Sequence, residues 1–247
     1  MPRPVVDPRR HLEGLELGIA RLREVLAHGE LAAPVAGCPG WSLADLGIHV
    51  GSVYGFAHAG LVEHREFRPE HTGARGRDEV LAFFDAGADA LLGALRAIDA
   101  ADDWNAEAWT MAPPATAAFW VRRQHHETSL HLWDALESQG VPRDKSTAEA
   151  LDDDTAADGI DEIARMFYPR QVRLKRVESL TESLEIRTPG REPVRLGTVG
   201  TPSAVLTGAA PTVLLALWKR VALEAPGLTV SGDPRAAARV VASPITP

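Results

Sequence analysis

Arg122-Arg123-Gln124-His125-His126-Glu127-Thr128-Ser129-Leu130-His131-Leu132-Trp133-Asp134 is a run whose apolar residues are scattered and whose ionisable residues form a stripe. Positions 123, 127, 131 and 134 step by four, four and three, so these side chains share one face of an α-helix. Two readings fit that stripe. In one it faces solvent, and pairs such as Arg123 with Glu127 contribute roughly 0.2–0.5 kcal/mol each. In the other it lines the interior cleft of a helical bundle, where a divalent metal on Glu127 and His131 offsets the cost of burying a carboxylate. Two ligands four residues apart can hold one ion without bending the backbone.

Outward from this stretch, a helix is predicted from about Ala117 to Gln139, with Gly140-Val141-Pro142 as its stop. Three further stripes precede it. Leu12, Leu15, Ile19, Leu22 and Leu26 step by three and four and end at Gly29 and Pro34. Leu43, Leu46, Val50, Val53, Ala57 and Leu61 follow Pro39-Gly40-Trp41, with Ser42 as cap and Asp45 three residues on, the spacing of a capping box. Leu81, Phe84, Ala88, Leu91, Leu95 and Ile98 make the third stripe. Four such helices argue for a four-helix bundle over residues 1–150.

Beyond it, Lys145 to Ala157 is polar and acidic, and Asp152-Asp153-Asp154 reads as a solvated linker or the start of a helix, not a metal site. A helix is expected from Asp158 to about Lys175, with Ile160, Ile163 and Phe167 inward. The texture then changes to Ser183–Thr188, which alternates like a half-buried strand, a turn at Thr188–Arg191, and a hairpin partner at Val194–Thr198. Another strand at Ser203–Gly208, an apolar helix from Pro211 to about Leu223, a strand at Leu228–Gly232 and a helix from Pro234 complete a small α+β domain over residues 151–247.

The bulk properties are those of a globular protein: 45% hydrophobic and 24% charged residues. A net charge of -8 points away from nucleic acid and anionic membranes as partners. The one cysteine, Cys38, excludes an internal disulfide and fits the cytoplasm. The opening residues from Met1 lack the apolar segment of a secretory signal. No apolar run approaches the ~18 residues of a membrane span.

Of the nine histidines, His49 lies between Leu46 and Val53, on the flank of the second helix's apolar stripe. It reads either as a hydrogen-bonded core residue or as a third ligand at the depth of Glu127 and His131. Two histidines and one carboxylate would leave a coordination position open, as catalytic zinc sites and the iron facial triad both do. His58, His64 and His71 are expected to be exposed, and His125 and His126 to point away from the Glu127 stripe, His126 flanking it. Cys38 precedes a helix N-terminus but is read as filling the turn Gly37-Cys38-Pro39-Gly40-Trp41. There is no Gly-x-Ser-x-Gly elbow, phosphate-binding glycine loop or zinc-finger cysteine pair.

Cys38-Pro39-Gly40-Trp41-Ser42-Leu43-Ala44-Asp45-Leu46 followed by His49 resembles the opening motif of the mycothiol-dependent maleylpyruvate isomerase family, within the DinB-like metal-binding bundles. Phe119-Trp120-Val121-Arg122-Arg123 running into His126-Glu127 and His131-Leu132-Trp133-Asp134 is similar to its second motif. Val205–Gly208, Leu214–Trp218 and Ser231–Pro234 look like its small α+β C-terminal domain. The resemblance implies a divalent metal, usually zinc, on His49, Glu127 and His131, with mycothiol as the thiol cosubstrate. A metal-bound thiolate would add to an electrophilic small molecule: it adds and leaves in an isomerase acting on an unsaturated acid, or stays attached in an S-transferase. Arg123, on the metal stripe, and Arg220, at the end of an apolar helix, are candidates to meet an anionic substrate, each with the alternative of a plain surface arginine. Two other readings stand beside the thiol enzyme: a metal-dependent hydrolase on the same bundle, and a non-enzymatic metal-binding or regulatory module. Oligomeric state is not legible.

Overall fold

The structure, a computed structural model, describes residues 6–70, 73, 75–197 and 200–247. The opening residues 1–5, His71 and the strand end Thr198 lie outside the described residues. The chain forms two compact units, Met1–Ala150 and Leu151–Pro247.

The first unit is helical: α1 (Pro8–His28), α2 (Leu43–His58), a π-helical turn (Ala59–Glu63), α3 (Arg77–Ala100), α4 (Ala117–Ser138) and α5 (Arg143–Ala150). Helix α1 packs on α3 and α4, and α2 packs on α3 and α4, so the four long helices close a ring. Leu15, Leu22, Leu26, Leu43, Leu46, Val50, Phe84, Leu91 and Leu95 fill its core. In α3 the stripe is shifted from expectation. Val80 is buried, while Leu81 and Ile98 are only half-buried.

The connection between α1 and α2 closes with a tight turn. The Trp41 amide donates to the Cys38 carbonyl at 3.0 Å, with Pro39 and Gly40 between them. Gly40 has φ +86°, which a side chain rarely tolerates and which this turn demands. Ser42 and Asp45 then close a reciprocal capping box, Asp45 N donating to Ser42 Oγ at 3.2 Å and Ser42 N to Asp45 Oδ2 at 2.9 Å. Cys38, Trp41 and the start of α2 are thereby fixed relative to one another.

The expected linker is largely helical. Residues 143–150 form α5, and Asp152 caps α6 (Asp153–Glu162) through the amides of Asp154 and Thr155, both at 2.8 Å. The helical run begins five residues before the expected Asp158 and continues through a π turn (Ile163–Phe167) into α7 (Tyr168–Arg173), with Ile160, Ile163 and Phe167 buried as expected. The second unit adds a four-stranded sheet in the order β2-β1-β3-β4, from β1 (Ser183–Arg187), β2 (Val194–Gly197), β3 (Ala204–Thr207) and β4 (Thr229–Gly232). Strands β1 and β2 form the antiparallel hairpin expected, and β3 pairs parallel to β1. Strand β1 does not alternate: Ser183 to Ile186 are all buried, because Glu185 is neutralised by Arg187 and Arg195, each at 2.6 Å. Helix α8 (Ala210–Leu217) ends six residues short of Leu223, where Lys219 turns left-handed at φ +62°. It packs on α6, and α9 (Pro234–Ala242) covers β1 and β3.

Candidate metal centre

Helix α4 is buried nearly all round, because α1 and α2 flank it and α5 packs on it. Its ionisable stripe therefore faces inward, and the solvent-facing alternative falls. Arg123 is 4% exposed, His131 6% and Asp134 1%.

His49, seventh residue of α2, meets this stripe. Glu127 Oε1 lies 3.1 Å from His49 Nε2 and 3.3 Å from His131 Nε2. The other carboxylate oxygen, Oε2, is ion-paired with Arg123. Ligand atoms from His49, Glu127 and His131 all fall within 4.8 Å of one another. A tetrahedral zinc with ligands ~2.0 Å away has edges of about 3.3 Å, so the donor set and spacing fit such an ion with little movement.

The orientation of His131 supports the same fit. Its Nδ1 lies 3.1 Å from Asp134 Oδ2. A carboxylate only accepts, so Nδ1 carries the proton and Nε2 is directed at Glu127. Histidines that hold metals are oriented in this way by a carboxylate behind them.

The charges are correspondingly displaced. Burial alone would raise the Glu127 carboxyl, but the Arg123 charge and hydrogen bonds from His131 and His49 hold it well below the usual carboxylate range. Burial alone would lower the His131 imidazole, yet hydrogen bonds with Asp134, Cys38 and Glu127 raise it well above its ordinary value. Without an ion, the raised His131 imidazole supplies positive charge beside Glu127.

Three neighbours were not assigned to this place by the sequence. Trp41 packs its ring 4.7 Å from that of His49 and 6.4 Å from that of His131, centroid to centroid. Cys38 fills a turn as expected, but its Sγ also lies 3.7 Å from Asp134 Oδ2. Asp134 was placed on the stripe without a role. The only advance signal was that Cys38 and Trp41 share the motif containing His49.

The remaining predictions divide. Arg123 sits at the cluster, engaged with Glu127. Arg220 belongs to the second unit, where its guanidinium lies over the Trp218 ring and donates to the Trp218 carbonyl at 3.0 Å. His125 and His126 are buried, and His125 Nδ1 lies 3.0 Å from Nδ1 of His11 on α1, a pairing the sequence did not announce. His64 is exposed, whereas His58 is half-buried rather than exposed. Among the described residues, no helix is long and apolar enough to cross a membrane.

No curated protein matches the chain. Two solved structures share its fold: a mycothiol-dependent maleylpyruvate isomerase (TM-score 0.57) and a histidine-to-alanine mutant of that enzyme (TM-score 0.58). Each is 15% identical in sequence, with 92% of this chain and 93% of that chain covered. The model of the mycothiol maleylpyruvate isomerase N-terminal domain matches residues 15–136, and that of the MDMPI C-terminal domain matches residues 154–239. With both of its domains represented in order, this chain belongs to the mycothiol-dependent maleylpyruvate isomerase family.

Proposed function

We propose that this protein is a metal-dependent thiol enzyme of the isomerase kind, with His49, Glu127 and His131 holding a divalent ion such as zinc, and mycothiol as cosubstrate. The observation that carries the reading is the convergence of three ligand atoms within 4.8 Å at the inner face of α4, with His131 oriented from behind by Asp134. Three protein ligands leave one position for a small molecule, whereas structural zinc takes four.

A bound ion supplies Lewis acidity that stabilises a thiolate at neutral pH. The chain's own residues do the rest. Arg123 fixes the Glu127 carboxylate so that Oε1 faces the two histidines. Asp134 keeps the proton of His131 on Nδ1. The Trp41 ring covers the histidines on one side and excludes water there. The substrate is an unsaturated acid whose cis double bond becomes single when the thiol adds, rotates, and re-forms trans as the thiol leaves. Arg123 is the proposed partner of a substrate carboxylate, and the cytoplasm the proposed compartment.

Elemental analysis beside a His49→Ala, His131→Ala double variant tests the reading. About one equivalent of zinc or a similar ion in the parent, lost in the variant, supports it. A parent that takes up no metal on reconstitution sinks it. Turnover that is indifferent to added mycothiol would keep the metal and remove the thiol chemistry in favour of metal-dependent hydrolysis.

A further inference from the structure

His131 presents two nitrogens to two different sets of donors. Nε2 faces Glu127 at 3.3 Å, while Nδ1 faces Asp134 at 3.1 Å. Behind Asp134 stands the Cys38 thiol, at 3.7 Å from the same carboxylate oxygen. One ligand atom from each of Cys38, His131 and Asp134 falls within 4.8 Å of the other two. The three come from separate structural devices: the Pro39-Gly40 turn delivers the thiol, and successive turns of α4 deliver the imidazole and the carboxylate.

We propose that Cys38, Asp134 and Nδ1 of His131 form a second metal position, which takes a thiophilic divalent ion such as zinc or cadmium and shares the His131 ring with the first.

The spacing is that of a coordination polyhedron. With metal–sulfur at ~2.3 Å and metal–nitrogen and metal–oxygen at ~2.0 Å, tetrahedral edges are about 3.5 Å between sulfur and oxygen and about 3.3 Å between nitrogen and oxygen. The observed 3.7 and 3.1 Å are close to these edges. The donor set selects the ion: a thiolate beside an imidazole and one carboxylate favours zinc or cadmium over magnesium or calcium, which demand an oxygen shell. Access comes from the Cys38 side, since Asp134 is 1% exposed and Cys38 is half-buried. Binding displaces the Sγ proton of Cys38 and the Nδ1 proton of His131, both released to solvent, with no change of oxidation state. His131 becomes a bridge, and the ion takes over from Asp134 the task of aligning its ring.

The inference shares His131 with the proposed function, and a titration separates the two. Metal-free protein is titrated with cobalt(II), read by thiolate-to-cobalt charge-transfer absorption, and with cadmium(II), read by equilibrium dialysis and by loss of thiol reactivity. The expected result is two equivalents bound, with the thiolate band and loss of thiol reactivity tracking the second. Cys38→Ser should stop at one equivalent and lack the band. One equivalent in both proteins, with no thiolate band and a thiol that stays reactive, overturns the second position while leaving the first intact. A thiolate band at the first equivalent, unchanged in His49→Ala, supports the Cys38 position and overturns the His49–Glu127–His131 assignment instead. Far-ultraviolet circular dichroism of each variant confirms its fold before titration.

Discussion

Glu127 and His131 titrate in opposite directions, and the sign of each has a measurable consequence. His131 is raised by its partners, so its contribution to metal-free stability is complete below the ordinary imidazole value of 6.5 and fades as pH rises through its folded value. Glu127 is lowered, so its contribution is complete above the ordinary carboxylate value of 4.5 and fades as pH falls through its folded value. The metal-free protein should thus draw most from this pair between pH 4.5 and 6.5. Metal binding must expel a proton from His131, so log affinity should climb by about one per pH unit below the folded pKa of His131. Without zinc the melting temperature should therefore fall as pH rises above 6.5, whereas with zinc it should rise up to about that pH and then level off. Arg123→Ala leaves a buried carboxylate without its cation. It should cost the metal-free protein about 3–5 kcal/mol in denaturant unfolding, with added zinc restoring part of the loss. If Arg123 also meets substrate, the same variant should raise KM for an unsaturated diacid.

Among the elements, α2 and α3 approach closely where Gly51 and Gly87 meet. A Cβ on Gly87 would sit 2.4 Å from the Gly51 carbonyl oxygen, a backbone atom that cannot swing aside. Gly87→Ala should therefore push α2 away, cost roughly 1–3 kcal/mol, and weaken metal uptake through His49, which precedes Gly51 by two residues. Gly93→Ala is the control on the same helix. Nothing lies within 4 Å of its Cβ, so it should stabilise by about 0.5–1 kcal/mol and leave metal binding alone. Thermal melts and metal titration of the two variants check both statements. The element scale is also where sequence reading did best and where it slipped. Three-four stepping and the Ser42–Asp45 box marked the long helices, because burial on one face and cap chemistry are local. The start of α6 fell earlier than Asp158 because, of the two readings of Asp152, linker or helix start, the cap holds, and the end of α8 slipped because a left-handed Lys219 carries no residue-type signature. Glu185 broke the alternation of β1 because its neutralising arginines lie on the same strand and its neighbour. At the site, Glu127 and His131 were legible as one helical stripe. That Cys38 meets Asp134, 96 positions later, was not, since only the packing of the turn against α4 brings them together.

At the scale of the molecule, all three candidate ligands, and the Cys38 corner beside them, lie within the unit Met1–Ala150. That unit has its own core of leucines and aromatics, and α5 closes it before Asp152 opens the next helix. A fragment of residues 1–150 should fold on its own and take up the first ion with an affinity close to that of the full chain. Calorimetric titration of the fragment with zinc would measure this. A folded fragment that fails to bind would mean that the second unit contributes a ligand.

Trp41 gives the site a voice of its own. Its indole is in ring contact with both candidate histidines, and a protonated imidazole beside an indole quenches its emission. Loading zinc removes that proton and should brighten the indole, whereas cobalt or copper, with unfilled d shells, should darken it. The occupancy of the centre is in this way coupled to an optical signal by one side chain from the turn that opens α2, with no label attached.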